Sequence, residues 1–255
     1  YRAEVVPAFW FLTQTVDCKI FQNMTVLEIV ADVLENAGSV GAVKHLNRCS
    51  RSYPKREFCV QYRESAFNFV SRLLEDEGIF YWFEHTESDH TLVLADSHTT
   101  FKPLPQYDAL RMDPKGAPGE QVVRSFVHEH GVGSYEVMLL DYDPLQPSLK
   151  LDGTERGSDV QIDPVFDYPG LFTVKNDGEY LARVELERRE KGRHKVTGTS
   201  SVRGLRSGFV VETEGHVRSS SNRSYYLDRI RHSAHSGAFR AWNEAGFHYS
   251  NEFTA

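Results

Sequence analysis

Phe166-Asp167-Tyr168-Pro169-Gly170 is the first of a series of glycine-centred motifs in the last third of the chain. Three more follow in order: Arg203-Gly204-Leu205-Arg206-Ser207-Gly208, Gly215-His216 and Tyr249-Ser250-Asn251-Glu252-Phe253. Glycine is free to adopt positive φ, so such motifs are typical of tightly defined turns. They separate short runs in which apolar and polar residues alternate, which is the pattern of a β-strand. The series predicts a β-barrel whose strands carry little chemistry.

Two motifs nearer the start of the chain complete the pattern: Arg63-Glu64-Ser65 and Leu74-Glu75-Asp76-Glu77-Gly78-Ile79-Phe80-Tyr81-Trp82-Phe83. Together with the glycine motifs, they resemble the hub-like part of the VgrG spike proteins of type VI secretion systems. Those proteins are relatives of the baseplate hub of contractile-tail phages. The resemblance covers essentially the whole chain, and it implies a structural role for its signature residues: Glu75, Asp76, Gly78, Asp167, Tyr168, Pro169, Gly170, Gly204, Gly208, Gly215, His216, Asn251 and Phe253.

The resemblance implies an α+β fold that is mainly β, with hub-type β-barrels and an inserted α/β subdomain. On this reading, residues 1–14 form the last strand of a first barrel. Residues 15–118 form the insertion and a proline-rich linker. Residues 119–255 return to the first barrel and build the second, ending at a junction to an OB-fold neck and a β-helix needle that the sequence lacks. Because strand-like runs open and close the chain, we expect a piece of a longer protein.

The function implied by the resemblance is mechanical. A homotrimer would sit on the rings of the Hcp tube and be fired into a neighbouring cell, bearing effectors. A PAAR-type tip and the effectors would attach through C-terminal parts that this sequence lacks. A phage or pyocin-type tail hub would share the fold and is the first alternative. The alternative of a different class is a cell-wall glycoside hydrolase using carboxylates such as Glu75 or Asp141.

The net charge narrows the class of protein. With 255 residues, the chain could form one large domain or two ordinary ones. Its formal net charge of −7 argues against a nucleic-acid partner, which requires a basic surface. The basic run Arg188–Arg193 contains Glu190, and we interpret it as a solvated helix end.

Cysteine usage and hydropathy bear on location. The chain has three cysteines, Cys18, Cys49 and Cys59, and their odd number favours reduced thiols, with one disulfide and one leftover thiol as the alternative. No apolar run approaches the roughly 20 residues that span a bilayer, and no signal peptide is recognisable. We therefore expect assembly in the bacterial cytoplasm, and the resemblance implies export by the type VI apparatus.

Helix signals are clearest in the first third of the chain. Thr25 and Glu28 have the spacing of a capping box before a helix that Gly38 would end. Ser65 is the expected N-cap of a second helix, which ends at Gly78. A third helix is expected to begin at an N-cap Asp177 and to reach Gly192, with Glu185–Arg189 and Glu187–Lys191 as i, i+4 pairs.

The other segments are assigned as strands, a linker and loops. Strands are predicted at 1–12, 57–62, 79–85, 91–95, 121–128, 134–140, 195–200, 209–213, 225–232 and 246–253. Four prolines between Lys102 and Glu120 indicate a linker or boundary. The polar stretch from Asp141 to Asp163 is left without assigned structure.

His128-Glu129-His130 is the best candidate for metal chemistry, because alternate strand residues place both imidazoles on one face. The sequence identifies no third ligand, so we favour a solvated strand end and predict no metal or cofactor. His232, His235 and His248 form a looser group that lacks the helical HExxH frame of a zinc hydrolase.

The remaining chemical signals also favour structure over catalysis. Glu75-Asp76-Glu77 places three acids on the last turn of a helix, where the macrodipole disfavours them, and we expect them to face solvent or a basic neighbour. No esterase elbow, Walker loop or GxGxxG motif is present. The aromatic runs Phe9–Phe11 and Phe80–Phe83 could stack on carbohydrate, but we favour core on one face and subunit contact on the other. We predict a protein that is not an enzyme.

Overall fold

The computed structural model describes residues 5–37, 41–117, 119–157, 163–235 and 248–255. The chain divides into two compact units, Tyr1–Thr100 and Phe101–Ala255. Among the described residues, no helix combines the length and the apolar composition that crossing a membrane requires. All three cysteines are free thiols, as their odd number predicted.

The first unit contains two helices and five strands. In chain order these are β1 (Val16–Met24), α1 (Val26–Glu35), β2 (His45–Asn47), β3 (Arg56–Ser65), α2 (Ala66–Asp76), β4 (Phe80–His85) and β5 (His90–Ala95). β1 and β3 form an antiparallel two-stranded sheet. β2, β5 and β4 form a second sheet, in that order, with β2 parallel to β5.

Both helices begin where their capping residues predict. The Thr25 hydroxyl accepts from the Glu28 amide, and the Glu28 carboxylate accepts from the Thr25 amide at 2.7 Å, which completes the capping box. The Ser65 hydroxyl accepts from the amide of Asn68 at the start of α2. Gly78 follows the end of α2 with φ 67°, which explains why glycine stands there. The predicted helix end at Gly38 lies outside the described residues.

The apolar faces of the two helices and of the strands build one core in this unit. Its largest fully buried side chains are Phe9, Leu12, Ile29, Leu34, Phe69, Leu73, Leu74, Leu92 and Leu94. Phe21 on β1 stacks on Phe69 of α2, with ring centroids 5.5 Å apart. The strand predicted for residues 1–12 is wrong over its described part: residues 5–7 form no strand, and a 3-10 helix spans Ala8–Gln14. Residues 1–4 lie outside the described residues. Phe9 and Leu12, three residues apart, both enter the core on one turn of that helix.

The second unit is mainly β. Its elements are β6 (Lys102–Pro103), β7 (Leu110–Arg111), β8 (Val123–His130), β9 (Glu136–Asp141), β10 (Leu151–Arg156), β11 (Val165–Asp167), α3 (Lys175–Lys191), β12 (His194–Ser200), β13 (Phe209–Glu214), β14 (Ser224–Tyr226), β15 (Arg229–His235) and β16 (His248–Thr254). The stretch from Asp141 to Asp163, for which we predicted no structure, therefore contains β10. The single strand predicted at 225–232 is two strands, with a break between Tyr226 and Arg229.

Two sheets enclose the larger core of this unit. One has the strand order β15-β16-β12-β8, and the other has β14-β13-β6 with β7 also paired to β13. An isolated parallel bridge between Met112 and Val123 joins them. The shared core contains Leu104, Leu110, Val123, Val196, Val202, Leu205, Phe209, Val211, Leu227 and Phe253. Among the pairings of the described residues, no ladder closes these sheets into a barrel, so the closed barrel remains a prediction.

The proline-rich segment differs from its predicted role as a linker. Lys102–Pro103 and Leu110–Arg111 both pair in parallel with β13, and Leu104 and Leu110 are buried in the core. The short strands are compatible with proline because proline is tolerated at a sheet edge. The division between the two units falls at Thr100/Phe101, before this segment rather than within it.

α3 packs on the third sheet of the unit, which has the order β10-β9-β11. The helix begins at Lys175 after an N-cap Val174, so Asp177 lies in its first turn and the predicted cap is wrong. Asp177 still places negative charge at the positive end of the helix dipole. The Glu185–Arg189 pair is present at 2.7 Å, whereas Lys191 binds Asp228 at 2.9 Å rather than the predicted Glu187.

Candidate functional site

The Phe166–Gly170 motif ends an edge strand and turns the chain toward α3. The Asp167 carboxylate accepts from the Tyr168 amide at 2.9 Å, and the Tyr168–Pro169 peptide bond is cis. The Gly170 amide donates to the carbonyl of Leu140 on β9 at 2.9 Å. A Cβ on Gly170 would lie 2.4 Å from the ring of Phe172, so this glycine is needed for close approach rather than for positive φ.

Each of the later glycines is needed either for a positive φ or for the close approach of another side chain. Gly208 and Gly215 adopt φ values of 85° and 79°, as the turn interpretation predicted. Gly204 instead lies against Tyr107, whose ring a Cβ would approach to 2.6 Å. His216 follows Gly215 in a loop, where its amide donates to the Asn222 side chain at 2.9 Å. All of these contacts stabilise loops.

The last motif belongs to the core and not to an exposed site. Phe253 is buried and lies over Gly198 of β12, where a Cβ would meet its ring at 2.5 Å. Asn251 is 1% exposed, and its amide donates to the buried carbonyl of Val202 at 2.7 Å and to the Tyr249 hydroxyl at 3.0 Å. The motif therefore joins β16 to the chain that follows β12.

The acidic end of α2 forms an ion-pair network. Glu77 is buried and binds Arg56 at 2.9 Å and Arg51 at 3.6 Å. Asp76 lies 3.8 Å from Arg56. Burial opposes the charge of Arg56, but the hydrogen bond and the charge of Glu77 outweigh it, so the pKa of Arg56 is raised. The basic neighbour expected from the sequence is thus present, supplied by β3 and the loop before it.

Asp141, the other carboxylate of the hydrolase alternative, is engaged with the backbone. Its two oxygens accept from the amides of Tyr142 at 2.7 Å and of Phe172 at 3.1 Å. A glycoside hydrolase needs two carboxyl groups roughly 5–9.5 Å apart across one cleft. Both described oxygens of Asp141 therefore accept from backbone amides rather than facing a second carboxyl group.

Two exposed apolar faces lie outside the buried cores of the two units. On the β1–β3 sheet, Ile20 pairs with Val60, and Cys18 pairs with Tyr62. The exposed apolar side chains there are Val16, Ile20, Phe58, Val60 and Tyr62, and we call them the β1–β3 face. In the second unit, Met138, Leu140 and Phe166 are exposed on the sheet that α3 covers from the other side. The sequence shows only that strands alternate and cannot reveal that the outward set is apolar in both places.

The histidine motif of β8 gains a partner that the sequence did not identify. His128 and His130 share one face, with their rings parallel and 5.9 Å apart. His194 on β12 lies directly opposite His130, and their Nδ1 atoms are 3.1 Å apart. The ring of His128 binds the hydroxyl of buried Ser221 at 2.8 Å. Burial, followed by the positive charge of His130, Arg218, Arg223 and His216, lowers the pKa of His128.

No group of three or more His, Cys, Asp or Glu side chains within the described parts of the chain is arranged to hold a metal ion. His232 binds the Tyr249 hydroxyl through Nδ1 at 2.7 Å, and burial lowers its pKa. His235 and His248 stand opposite each other on β15 and β16. The predicted looser histidine group is therefore a row along one pair of strands.

Comparison with known proteins shows the family. Residues 1–238 match the model of the phage tail baseplate hub (GPD) family. The chain is 37% identical over 234 residues to the type VI secretion system spike protein VgrG1b of Pseudomonas aeruginosa, covering 89% of this chain and 31% of that protein. It is 29% identical to the actin cross-linking toxin VgrG1 of Vibrio cholerae, over 100% of this chain and 24% of the toxin. The chain thus spans about a third or less of the length of these curated relatives.

Solved structures agree at the level of the fold. The Escherichia coli c3393 protein matches with a TM-score of 0.66 and 18% identity, covering 97% of this chain and 52% of that one. A tail protein from Neisseria meningitidis matches with a TM-score of 0.66 and 13% identity, covering 96% and 71%. At this low identity the likeness concerns the fold alone. Together with the sequence matches, it shows that the chain belongs to the phage tail baseplate hub family and is similar over most of its length to the VgrG spike proteins.

Proposed function

We propose that this chain is the hub-like part of a type VI secretion spike and acts as a structural component rather than as an enzyme. Three such chains form a homotrimeric hub that sits on the Hcp tube. The family match over residues 1–238 carries the proposal. The E. coli c3393 protein is described as a component of the type VI secretion system with similarity to the T4 tail proteins gp27 and gp5, which supports it.

The contacts of the signature residues support a mechanical role. Gly170, Gly204 and Gly208 determine turns or close approaches, and Asn251 and Phe253 are buried. These residues hold the fold together and present no reactive group to solvent. A hub that transmits force needs such rigidity, and closed association of copies also protects sheet edges.

The division of labour along the chain follows from the resemblance. The resemblance assigns 15–118 to the α/β insertion and 119–255 to the hub barrels. In the structure, Ala8–Gln14 packs as a 3-10 helix in the core of the first unit, and the proline-rich segment pairs with β13. A PAAR-type tip and effectors are the further partners of the proposed spike. The protein is assembled in the bacterial cytoplasm and exported by the type VI apparatus.

The β1–β3 face supplies a surface for contact between copies. Its outward side chains include Ile20 and Tyr62, which are 67% and 64% exposed. Contiguous exposed apolar surface of several hundred Å² is unusual on a monomer and marks interaction sites. In the proposed trimer this face is covered by a neighbouring chain.

Light scattering over a concentration series tests the proposal. A mass near three times 29.1 kDa supports a trimeric hub. Ile20→Glu should shift the mass toward the monomer, because it places a charge on the β1–β3 face, whereas Val217→Glu, at an exposed loop position, should not. A monomer at every concentration would move the trimer determinant outside residues 1–255. A dimer or tetramer would contradict the proposed hub.

The phage or pyocin-type tail hub is the second candidate, favoured by the fold match to the Neisseria meningitidis tail protein. The two candidates differ in the tube on which the hub sits. Co-sedimentation with purified Hcp rings distinguishes them. Binding to Hcp supports the secretion hub, and binding only to phage tail-tube protein supports the alternative.

A further inference from the structure

His130 and His194 form a pair of imidazoles across two neighbouring strands. They occupy directly opposed positions of the antiparallel β8–β12 ladder. Their Nδ1 atoms are 3.1 Å apart, and their ring centroids are 5.3 Å apart at an interplanar angle of 75°. Both side chains are exposed, and they lie at the end of the sheet face on which Val196 and Phe126 pack into the core. The backbone ladder, rather than flexible loops, holds them in place.

The nitrogen–nitrogen distance suits joint coordination of one metal ion. Metal–imidazole bonds of about 2.0–2.1 Å place two cis nitrogens about 2.9 Å apart at a right angle and about 3.4 Å apart at a tetrahedral angle. The observed 3.1 Å lies between these values. An ion can bind both Nδ1 atoms once ring rotation turns each lone pair about 40° away from the line that joins the two nitrogens.

The protonation states are also compatible. Two neutral imidazoles can share this contact only if one Nδ1 carries a hydrogen and the other accepts it. When an ion binds, the donor ring shifts its hydrogen to Nε2, and both Nδ1 lone pairs point to the metal. No proton is gained or lost in this exchange between neutral tautomers.

The surroundings leave room for the ion and its water ligands. A cavity of about 620 Å³ is lined by His128, His130 and His194. Three of the four Lys and Arg side chains that line this cavity have a carboxylate neighbour: Arg188 binds Glu185, Lys191 binds Asp228, and Lys195 lies 3.8 Å from Glu129. The fourth, Arg223, lies over the ring of Tyr225. His128, stacked on His130, adds a third imidazole close to the pair.

We propose that His130 and His194 bind one divalent late transition-metal ion through their Nδ1 atoms, with water completing the coordination sphere. Imidazole ligands select Cu²⁺, Ni²⁺ or Zn²⁺ over Mg²⁺ and Ca²⁺, and Cu²⁺ binds most tightly in the general order of affinities. Such an ion would link β8 to β12. These two strands lie before and after the chain segment that forms β9, β10, β11 and α3.

Two other cross-strand histidine pairs provide a comparison. His85 faces His90 on β4 and β5, but Nε2 of His90 accepts a hydrogen bond from the Ala8 amide at 2.9 Å. His235 faces His248 on β15 and β16, in the same sheet as the proposed site. His235→Asn is therefore a matched control that removes one histidine of a cross-strand pair elsewhere in the sheet.

The test uses the untagged chain with its accessible thiols alkylated, stripped of metal with a chelator and titrated with Cu²⁺ by calorimetry at neutral pH. We expect a tightest event of one ion per chain, with nitrogen ligands visible in the electron paramagnetic resonance spectrum. His130→Asn and His194→Asn should each weaken this event at least tenfold, while His235→Asn changes it less than twofold. Mg²⁺ should not compete.

The proposal is overturned if the tightest event survives in both His130→Asn and His194→Asn, or if the unmodified chain binds Cu²⁺ no more tightly than the double variant does. Thermal unfolding of each variant without metal shows whether it folds. If an asparagine variant unfolds, the corresponding glutamine variant takes its place.

Discussion

The side-chain amide of Asn251 donates to the carbonyl oxygen of Val202 across 2.7 Å, and both residues are 1% exposed. This bond satisfies a buried carbonyl in the chain that leaves β12. It explains why an amide stands at this position of a strand whose other inward residue, Phe253, is apolar.

Replacing Asn251 by alanine should destabilise the second unit by about 1–3 kcal/mol, because it leaves the buried Val202 carbonyl with only the long 3.4 Å bond from the Tyr249 hydroxyl. Chemical denaturation of the two chains measures the change. Ser250→Ala, at the neighbouring exposed position, should stay within about 0.5 kcal/mol. An equal effect of both substitutions would show that the Asn251 bond contributes nothing specific.

Gly153 on β10 should not tolerate a side chain. A Cβ there would lie 2.2 Å from the backbone carbonyl carbon and oxygen of Gly178 on α3, so the helix would have to move away from the sheet. We expect Gly153→Ala to cost about 1–3 kcal/mol or more of the free energy of unfolding. The matched control is Gly192→Ala, whose Cβ would meet its nearest neighbour at 3.7 Å. A stable Gly153→Ala chain with unchanged unfolding would contradict this close packing.

Removing the charge of Glu77 should destabilise the first unit. Glu77→Gln weakens the bonds to Arg56 and Arg51 and leaves these partly buried guanidinium groups with less compensation, at a cost of about 1–3 kcal/mol. Glu75→Gln, on the exposed side of the same helix end, should change the free energy of unfolding by less than about 0.5 kcal/mol. Tryptophan fluorescence in a Trp242→Phe background follows this unit through Trp10 and Trp82.

Asp96 should make the first unit sensitive to acid. Burial alone would raise the pKa of its carboxyl group, but hydrogen bonds from the amides of Arg51 and Ser50 and from the Tyr53 hydroxyl lower it below 3.8. The stabilisation is therefore complete above the unfolded pKa and is lost as the pH falls through the lower folded value. Asp96→Asn should be less stable at pH 7 and show a shallower loss below pH 4. Unfolding midpoints across pH 2–7 measure both effects, and parallel curves for the two chains would exclude this role.

Local signals in the sequence were sufficient for much of the first unit. The capping residues Thr25 and Ser65 act through atoms three residues away, so the sequence shows both partners of each contact. The same reasoning failed at Asp177, because the helix begins two residues earlier, at Lys175, after an N-cap Val174 that makes no side-chain cap bond. It also failed at Ala8–Gln14, where burial of Phe9 and Leu12 outweighs the strand-forming character of the segment.

The sequence alone could not predict contacts between residues that lie far apart in the chain. The approach of Gly153 to Gly178 joins positions on different elements, and no local pattern identifies it. The same holds for His194, which lies 64 residues from His130 in the chain. The sequence indicated that His128 and His130 share a face, but only the strand register shows which third imidazole faces them.

By itself, the sequence determined the order of motifs that reveals the family, the principal helices and the turns that require glycine at Gly208 and Gly215. These depend on interactions within a few residues, where composition and spacing are sufficient. Only the tertiary structure decided that the proline-rich segment pairs with β13, that Asn251 is buried on Val202 and that His130 meets His194. Each of these depends on strand pairing over long separations, which the pattern of any single segment does not specify.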